Sequence, residues 1–173
     1  KMEDINNTIQ YLWQNIYFGQ DIDSNAIRCD PINKAGNANY NYHVIMIRNG
    51  EELIMSKYGS AGQKALACII IRLALAQTFA VNCPIIALDE PTTNLDKSNM
   101  ANLAMELVKL SKIGASDNFK QFQIIIITHN IDFMNKLVEE GMLDSFYQIV
   151  RTKDSHSDYS KIRKCNELGL MYK

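Results

Sequence analysis

Near its start the chain repeats apolar residues on a helical period: Ile5, Ile9, Leu12, Trp13 and Ile16, with Asp4, Asn7, Gln10 and Gln14 between them. A stripe of that kind is the buried face of an amphipathic helix, and the helix is expected to end before Gly19. Between Asp21 and Ser56 the pattern changes to short β-rich pieces, residues 26–29, 42–47 and 51–55, separated by a polar loop at 31–41 and by the pair Asn49-Gly50. Asn-Gly suits the left-handed backbone of a two-residue hairpin, so antiparallel pairing is predicted here. Further on, a helix is predicted at 65–80, a buried strand at 84–88, a helix at 97–110, a buried strand at 123–127 and a helix at 131–139, followed by strands at 146–152 and 160–164. Helices that alternate with short, wholly apolar strands predict an α/β fold, with a mostly parallel sheet covered by helices on both faces.

Composition narrows the function classes. The 173 residues suit one domain with its own core, and 18 basic against 19 acidic side chains provide no global field for nucleic acid or a membrane surface. Any DNA contact must be local. Lys153, Lys161, Arg163 and Lys164 offer one patch, but Asp154 and Asp158 dilute it, and a solvated edge is expected. The apolar runs at 65–71 and 124–127 fall well short of the roughly 20 residues that span a bilayer. Cys29, Cys68, Cys83 and Cys165 form no CxxC pair and have no His at ligand spacing, so they read as reduced, partly buried thiols of an intracellular protein. The chain begins at Lys1 without a signal-like region, as expected of an excision point.

Three short segments carry candidate chemistry. Ile85-Ile86-Ala87-Leu88 runs into Asp89-Glu90-Pro91, placing two carboxylates at the carboxyl end of a buried strand, the edge where open parallel sheets bind ligands. Adjacent acids at such an edge call for a cation or a proton relay, and Mg²⁺ held jointly with nucleotide phosphates meets that need. The run 124–127 delivers Thr128 and His129 to the same edge. Gly59-Ser60-Ala61-Gly62-Gln63-Lys64 opens a helix, with Ser60 placed as its N-cap and the following amides turned outward as a seat for an anion. Each segment also has a plain structural reading: a solvated strand exit, a satisfied histidine and a capped helix.

Taken in order, a Ser-x-Gly-Gln helix start, a strand ending Asp-Glu and a strand ending in His resemble the ABC ATPases. That resemblance makes Ser60, Ala61, Gly62 and Gln63 the signature motif, Asp89 and Glu90 the Walker B pair, Asn94 and Asp96 the polar residues of the D-loop, and His129 the switch histidine. Longer strings, Tyr17-Phe18-Gly19-Gln20-Asp21-Ile22-Asp23, Tyr40-Asn41-Tyr42, Ile69-Ile70-Ile71-Arg72-Leu73-Ala74-Leu75-Ala76 and Leu88-Asp89-Glu90-Pro91-Thr92-Thr93-Asn94-Leu95-Asp96, are similar to the Rad-fifty family of SMC-like DNA double-strand-break repair ATPases. Transporters usually begin the signature Leu-Ser-Gly-Gly, whereas Gly59 and Ala61 hold the first and third places here, which disfavours a transporter ATPase.

The resemblance implies a C-terminal ATPase lobe that uses ATP and Mg²⁺. Asp89 is then a metal ligand, Glu90 and His129 are catalytic, and Ser60 with Gly62 serves an ATP bound to a second copy in a homodimer. Lys64 and Arg72, eight residues apart and close to one helix face, are expected to relay nucleotide state; a solvated pair is the alternative. Asp96 is expected to cap the helix starting near Lys97 as well as to face the dimer partner. No G-x-x-x-x-G-K-[ST] string is present, so the phosphate loop is expected from an N-terminal lobe of the same protein. Residues 1–16 read either as a packed helix or as the stump of a returning coiled coil, with 17–173 the lobe proper. Double-stranded DNA and the nuclease Mre-eleven are the implied partners, in the nucleus of a eukaryote. An ATP-clamped scaffold with slow turnover is the alternative function.

Overall fold

The computed structural model describes residues 1–34, 37–79, 85–112, 123–143, 145–154 and 157–165. Ala80, Cys83 and Pro84 lie outside them, as do the side chains of Lys153, Asp154 and Asp158. Helix α1 (Met2–Ile16) buries the five residues that its period picks out, Ile5, Ile9, Leu12, Trp13 and Ile16, and carries Glu3 and Asp4 in its first turn, where they complement the helix dipole. It packs on a second helix, α3 (Ala61–Phe79), and on strand β1 (Ser24–Lys34). The Asn6 side chain acts as a one-residue strand partner for β1: its Nδ2 donates to the Ile27 carbonyl at 3.1 Å and its Oδ1 accepts from Ile27 N at 2.8 Å.

Strands β1, β2 (Asn37–Arg48) and β3 (Glu51–Ile54) form an antiparallel sheet in that order. Asn49 and Gly50 have φ of 51° and 79°, as the two-residue turn requires. The polar loop expected at 31–41 is mostly strand: pairing continues from Ser24↔Ile47 to Lys34↔Asn37. Ladder hydrogen bonds are made by the backbone whatever the side chains, so a hairpin arm can lack the apolar alternation by which strands are read from sequence. Met55, read as the end of β3, begins the short helix α2 (Met55–Tyr58) instead.

The chain then alternates as predicted through α3, β4 (Ile85–Asp89), α4 (Lys97–Lys112), β5 (Gln123–Ile127) and α5 (Ile131–Glu139), and closes with β6 (Phe146–Asp154) and β7 (Ser157–Cys165). Helix α5 is bounded by its own chemistry. Asn130 Oδ1 accepts from Phe133 N at 3.0 Å at the start. At the end, Gly141 with φ 73° lets Gly141 N reach Val138 O and Met142 N reach Leu137 O, satisfying two terminal carbonyls. One core joins α1 to α5 with β1 to β5, with Trp13, Leu66, Ile70, Leu88, Leu103, Leu107, Phe133 and Leu137 almost fully buried.

The α/β class holds, but parallel pairing among the described residues is confined to β4 and β5, and the other pairs are antiparallel. The two-faced burial expected of β4 and β5 also differs. Ile86 and Leu88 turn into the core, while Ile85, Ile125 and Ile127 are 52%, 46% and 56% exposed on the other face. Wholly apolar strands belong in sheets covered on both sides, and this face departs from that rule.

Candidate functional site

The β4–β5 register pairs Asp89 with Ile127, which sets the next residues of the two strands, Glu90 and Thr128, side by side. Glu90 N donates to Ile127 O at 2.8 Å, extending the pairing by one bond. Beyond it Glu90 turns with φ 45°, a left-handed conformation costing on the order of 1–3 kcal/mol for a residue with a side chain. The turn aims its carboxylate back at β5. Glu90 Oε1 accepts from His129 N at 3.0 Å and lies 2.7 Å from His129 Nδ1, while Thr128 Oγ1 donates to Oε2 at 3.4 Å. The His129 ring is otherwise open to solvent. Asp89 is exposed, and no described residue hydrogen-bonds its carboxylate.

These donors, the His129 side chain first, hold the Glu90 carboxyl below the usual glutamate range. The native state therefore binds this proton less readily than the unfolded chain. Stability from the contact is present above the ordinary glutamate pKa and is lost as pH falls through the lowered value. A ¹³C carboxyl titration is expected to show Glu90 protonating below the usual glutamate range, and a titration at the ordinary glutamate value would count against the contact.

The second group lies at the start of α3. Ser60 Oγ accepts from Gln63 N at 3.2 Å, and Gln63 Oε1 accepts from Ser60 N at 2.9 Å, a reciprocal cap that confirms the expected N-cap role of Ser60. The helix begins at Ala61, four residues before the apolar run that marks it in the sequence. Gln63 Nε2 also donates to Tyr17 Oη at 2.9 Å and to Asp21 Oδ2 at 3.0 Å.

The third group is the turn after Glu90. Thr93 N bonds Glu90 O and Leu95 N bonds Thr92 O, both at 3.1 Å, and Asn94 has φ 64°. Asp96 caps α4 as expected: its Oδ1 accepts from Asn99 N at 2.8 Å and its Oδ2 from Asn99 Nδ2 at 2.7 Å. Asn99 Oδ1 in turn accepts from Phe18 N at 2.8 Å. This turn abuts α3, because a Cβ added to Gly62 meets Asn94 O at 2.6 Å. Backbone cannot yield there as a flexible side chain would, so Gly62→Ala is expected to cost about 1–3 kcal/mol. A thermal melt showing a drop of roughly 2–4 °C per kcal/mol checks this, and an unchanged midpoint would mean the turn moves freely.

Lys64 and Arg72 are both exposed, with exposed Cys68 midway between them, so they do share one face of α3. Arg72 Nη2 donates to Ala87 O at 2.9 Å, linking α3 to β4 two residues before Asp89.

The geometry thus gathers Glu90, Thr128 and His129 at one strand edge, with Asp89 the residue before Glu90, and sets Gly62 against Asn94. The chain is 44% identical over 157 residues to the DNA repair protein rad50 of Schizosaccharomyces pombe, and 45% identical over 152 residues to RAD50 of Saccharomyces cerevisiae. These stretches take in 91% and 87% of this chain. The chain belongs to the Rad50 family. It spans only 12% and 11% of those two Rad50 proteins. No family model matches it. Among solved structures, it superposes on an SMC ATPase from work on ATP-driven dimerization and DNA-stimulated activation, with a TM-score of 0.64 and 18% identity, over 97% of this chain and 86% of that one. A Pyrococcus furiosus Smc head with an extended coiled coil, bound to the C-terminal domain of ScpA, gives 0.63 and 18% over 95% and 35%. The fold of this Rad50-family chain is therefore that of an SMC ATPase head.

Thr128, Asn99, Tyr17 and Asp21 were not singled out as site residues from the sequence. Thr128 was readable in principle, since any residue delivered with His129 meets Glu90. The link from Tyr17 and Asp21 to Gln63 spans 46 and 42 residues and leaves no trace in periodicity.

Proposed function

We propose that this chain is the C-terminal ATPase lobe of a DNA double-strand-break repair ATPase whose ATP-dependent dimerisation governs DNA binding and a partner nuclease of the Mre-eleven type, in the nucleus. The observation that carries this reading is the Glu90–His129 contact at the joined ends of β4 and β5, in a chain so similar to Rad50. Glu90 is positioned to orient or deprotonate an attacking water, and His129 to reach a γ-phosphate beside it. Asp89 and Glu90 fit Mg²⁺ as one or two hard oxygen donors of a shell completed by phosphate and water. Among the described residues no three His, Cys, Asp or Glu gather into a cage, so this edge suits a metal that arrives with a nucleotide. The metal supplies charge neutralisation and alignment of the phosphates.

Ser60, Ala61, Gly62 and Gln63 present a helix start to the nucleotide of a second copy, with Asn94 and Asp96 beside them, while Arg72, which joins α3 to β4, and Lys64 on the same helix face act as a relay. The bare face of Ile85, Ile125 and Ile127 supports an N-terminal lobe that covers it and brings the phosphate loop. Helix α1 is the end of a returning coiled coil that packs on the domain by its apolar face. The test is to produce this lobe together with the phosphate-loop lobe and to follow mass by light scattering. ATP with Mg²⁺ is expected to double the mass and to raise affinity for double-stranded DNA. A monomer at saturating ATP would sink the reading.

A further inference from the structure

The side-chain amide of Gln63 lies between a group that can only donate and one that can only accept. Its Oε1 faces the Ser60 main-chain N–H at 2.9 Å, and its Nε2 faces the Asp21 carboxylate at 3.0 Å and Tyr17 Oη at 2.9 Å. A flipped amide would set donor against donor at Ser60 and acceptor against acceptor at Asp21, so the partners dictate its orientation. The Tyr17 hydroxyl donates its own proton to Asp21 Oδ1, leaving a lone pair for Gln63. Tyr17 is itself fixed, its ring stacked at 4.4 Å on buried Trp13, whose indole N–H bonds Ile22 O at 3.2 Å.

At Ser60 the consequence is one of polarity. Its N–H is taken by Gln63 Oε1 and its Oγ accepts from Gln63 N, while its hydroxyl proton donates to no described residue. Ser60 is thus left as a pure O–H donor on an exposed helix start, the state that suits an anion. We propose that Tyr17 and Asp21 are positioning residues for Ser60, acting through the Gln63 amide, so that the end of α1 sets the readiness of this helix start for the phosphate of a nucleotide held by a second copy. Asp21 stays charged for this task, because the Tyr17 hydroxyl first, with help from Gln63, holds its carboxyl below the usual aspartate range against the opposing effect of burial. The inference rests on the in-trans role given to Ser60 above.

The test uses the full protein, phosphate-loop lobe included, as Tyr17→Phe/Asp21→Ala, which removes both acceptors and keeps the ring on Trp13. The ATP concentration for half-maximal dimerisation is expected to rise about tenfold, as for the loss of hydrogen bonds to a charged partner. Binding of a fluorescent ATP analogue to the dilute monomer should be unchanged. In the nucleotide-free monomer, amide exchange at Ser60 and Gln63 should quicken, and Tyr17→Phe alone, which keeps the Asp21 acceptor, should restore most of the dimerisation. Wild-type dimerisation and exchange in the double variant would overturn the inference. So would an equal loss of monomer ATP binding, which indicates a merely structural role. A wild-type protein that fails to dimerise with ATP overturns the in-trans reading instead.

Discussion

Glu90→Gln in the assembled protein is expected to slow ATP turnover by about 10²–10⁴-fold while ATP still binds, the range for removing a general base. The substitution keeps the size of the side chain and one oxygen for the two His129 contacts, turns the group facing the Thr128 hydroxyl into an N–H donor, and removes the charge that His129 N and Nδ1 address. Geometry therefore survives while basicity does not. Glu90 also combines three features at one residue: a left-handed backbone, a carboxyl held below its usual range first by the His129 side chain, and a place where β4 leaves the sheet. A merely structural glutamate needs none of them. Single-turnover hydrolysis at saturating ATP is the measurement, and a rate within a few-fold of wild type would remove Glu90 from the chemistry. Because ATP is expected to stay bound, the same variant should accumulate as the ATP dimer.

The elements nearest the site were legible because they follow strong physical rules. The α1 stripe, the Asn49-Gly50 turn, the two apolar strands and the caps at Ser60 and Asp96 all follow from periodicity or local hydrogen bonding, and each appears where the pattern placed it. What was not legible has long-range causes. The arm of β1 and β2 beyond Asp30 is held by backbone pairing that side-chain pattern does not report. The bare face of β4 and β5 is indistinguishable in sequence from a covered one, because Ile85, Ile125 and Ile127 are as apolar as Ile86 and Leu88. The contact of Gly62 with Asn94 is likewise tertiary: a glycine inside a signature-like string gives no sign that a backbone carbonyl lies against it. The resemblance supplied names for these residues, whereas the structure shows that the turn after Glu90 meets the helix start where Asn94 O faces Gly62.

That approach makes the second large effect a matter of dimerisation. Ser60→Arg is expected to abolish ATP-driven dimerisation of the assembled protein without unfolding the lobe. Within the chain the substitution removes only the Oγ half of the cap, a loss of about 0.5–2 kcal/mol, which lowers a melting midpoint by a few degrees in a domain of this size. Ser60 is exposed, so the arginine meets no packed core. Across the proposed dimer interface the expected effect is much larger. A helix start binds phosphate at hydrogen-bond distance through a short hydroxyl and neighbouring amides, and a long guanidinium side chain standing there holds the two surfaces apart. Light scattering with ATP and Mg²⁺ should show monomer throughout, with the melt displaced only slightly. Ser60→Thr, which keeps the hydroxyl and the cap, should dimerise at near wild-type ATP. An intact ATP dimer in the arginine variant would show that Ser60 lies outside the interface, and a collapsed melt would show that its part is to hold the lobe together.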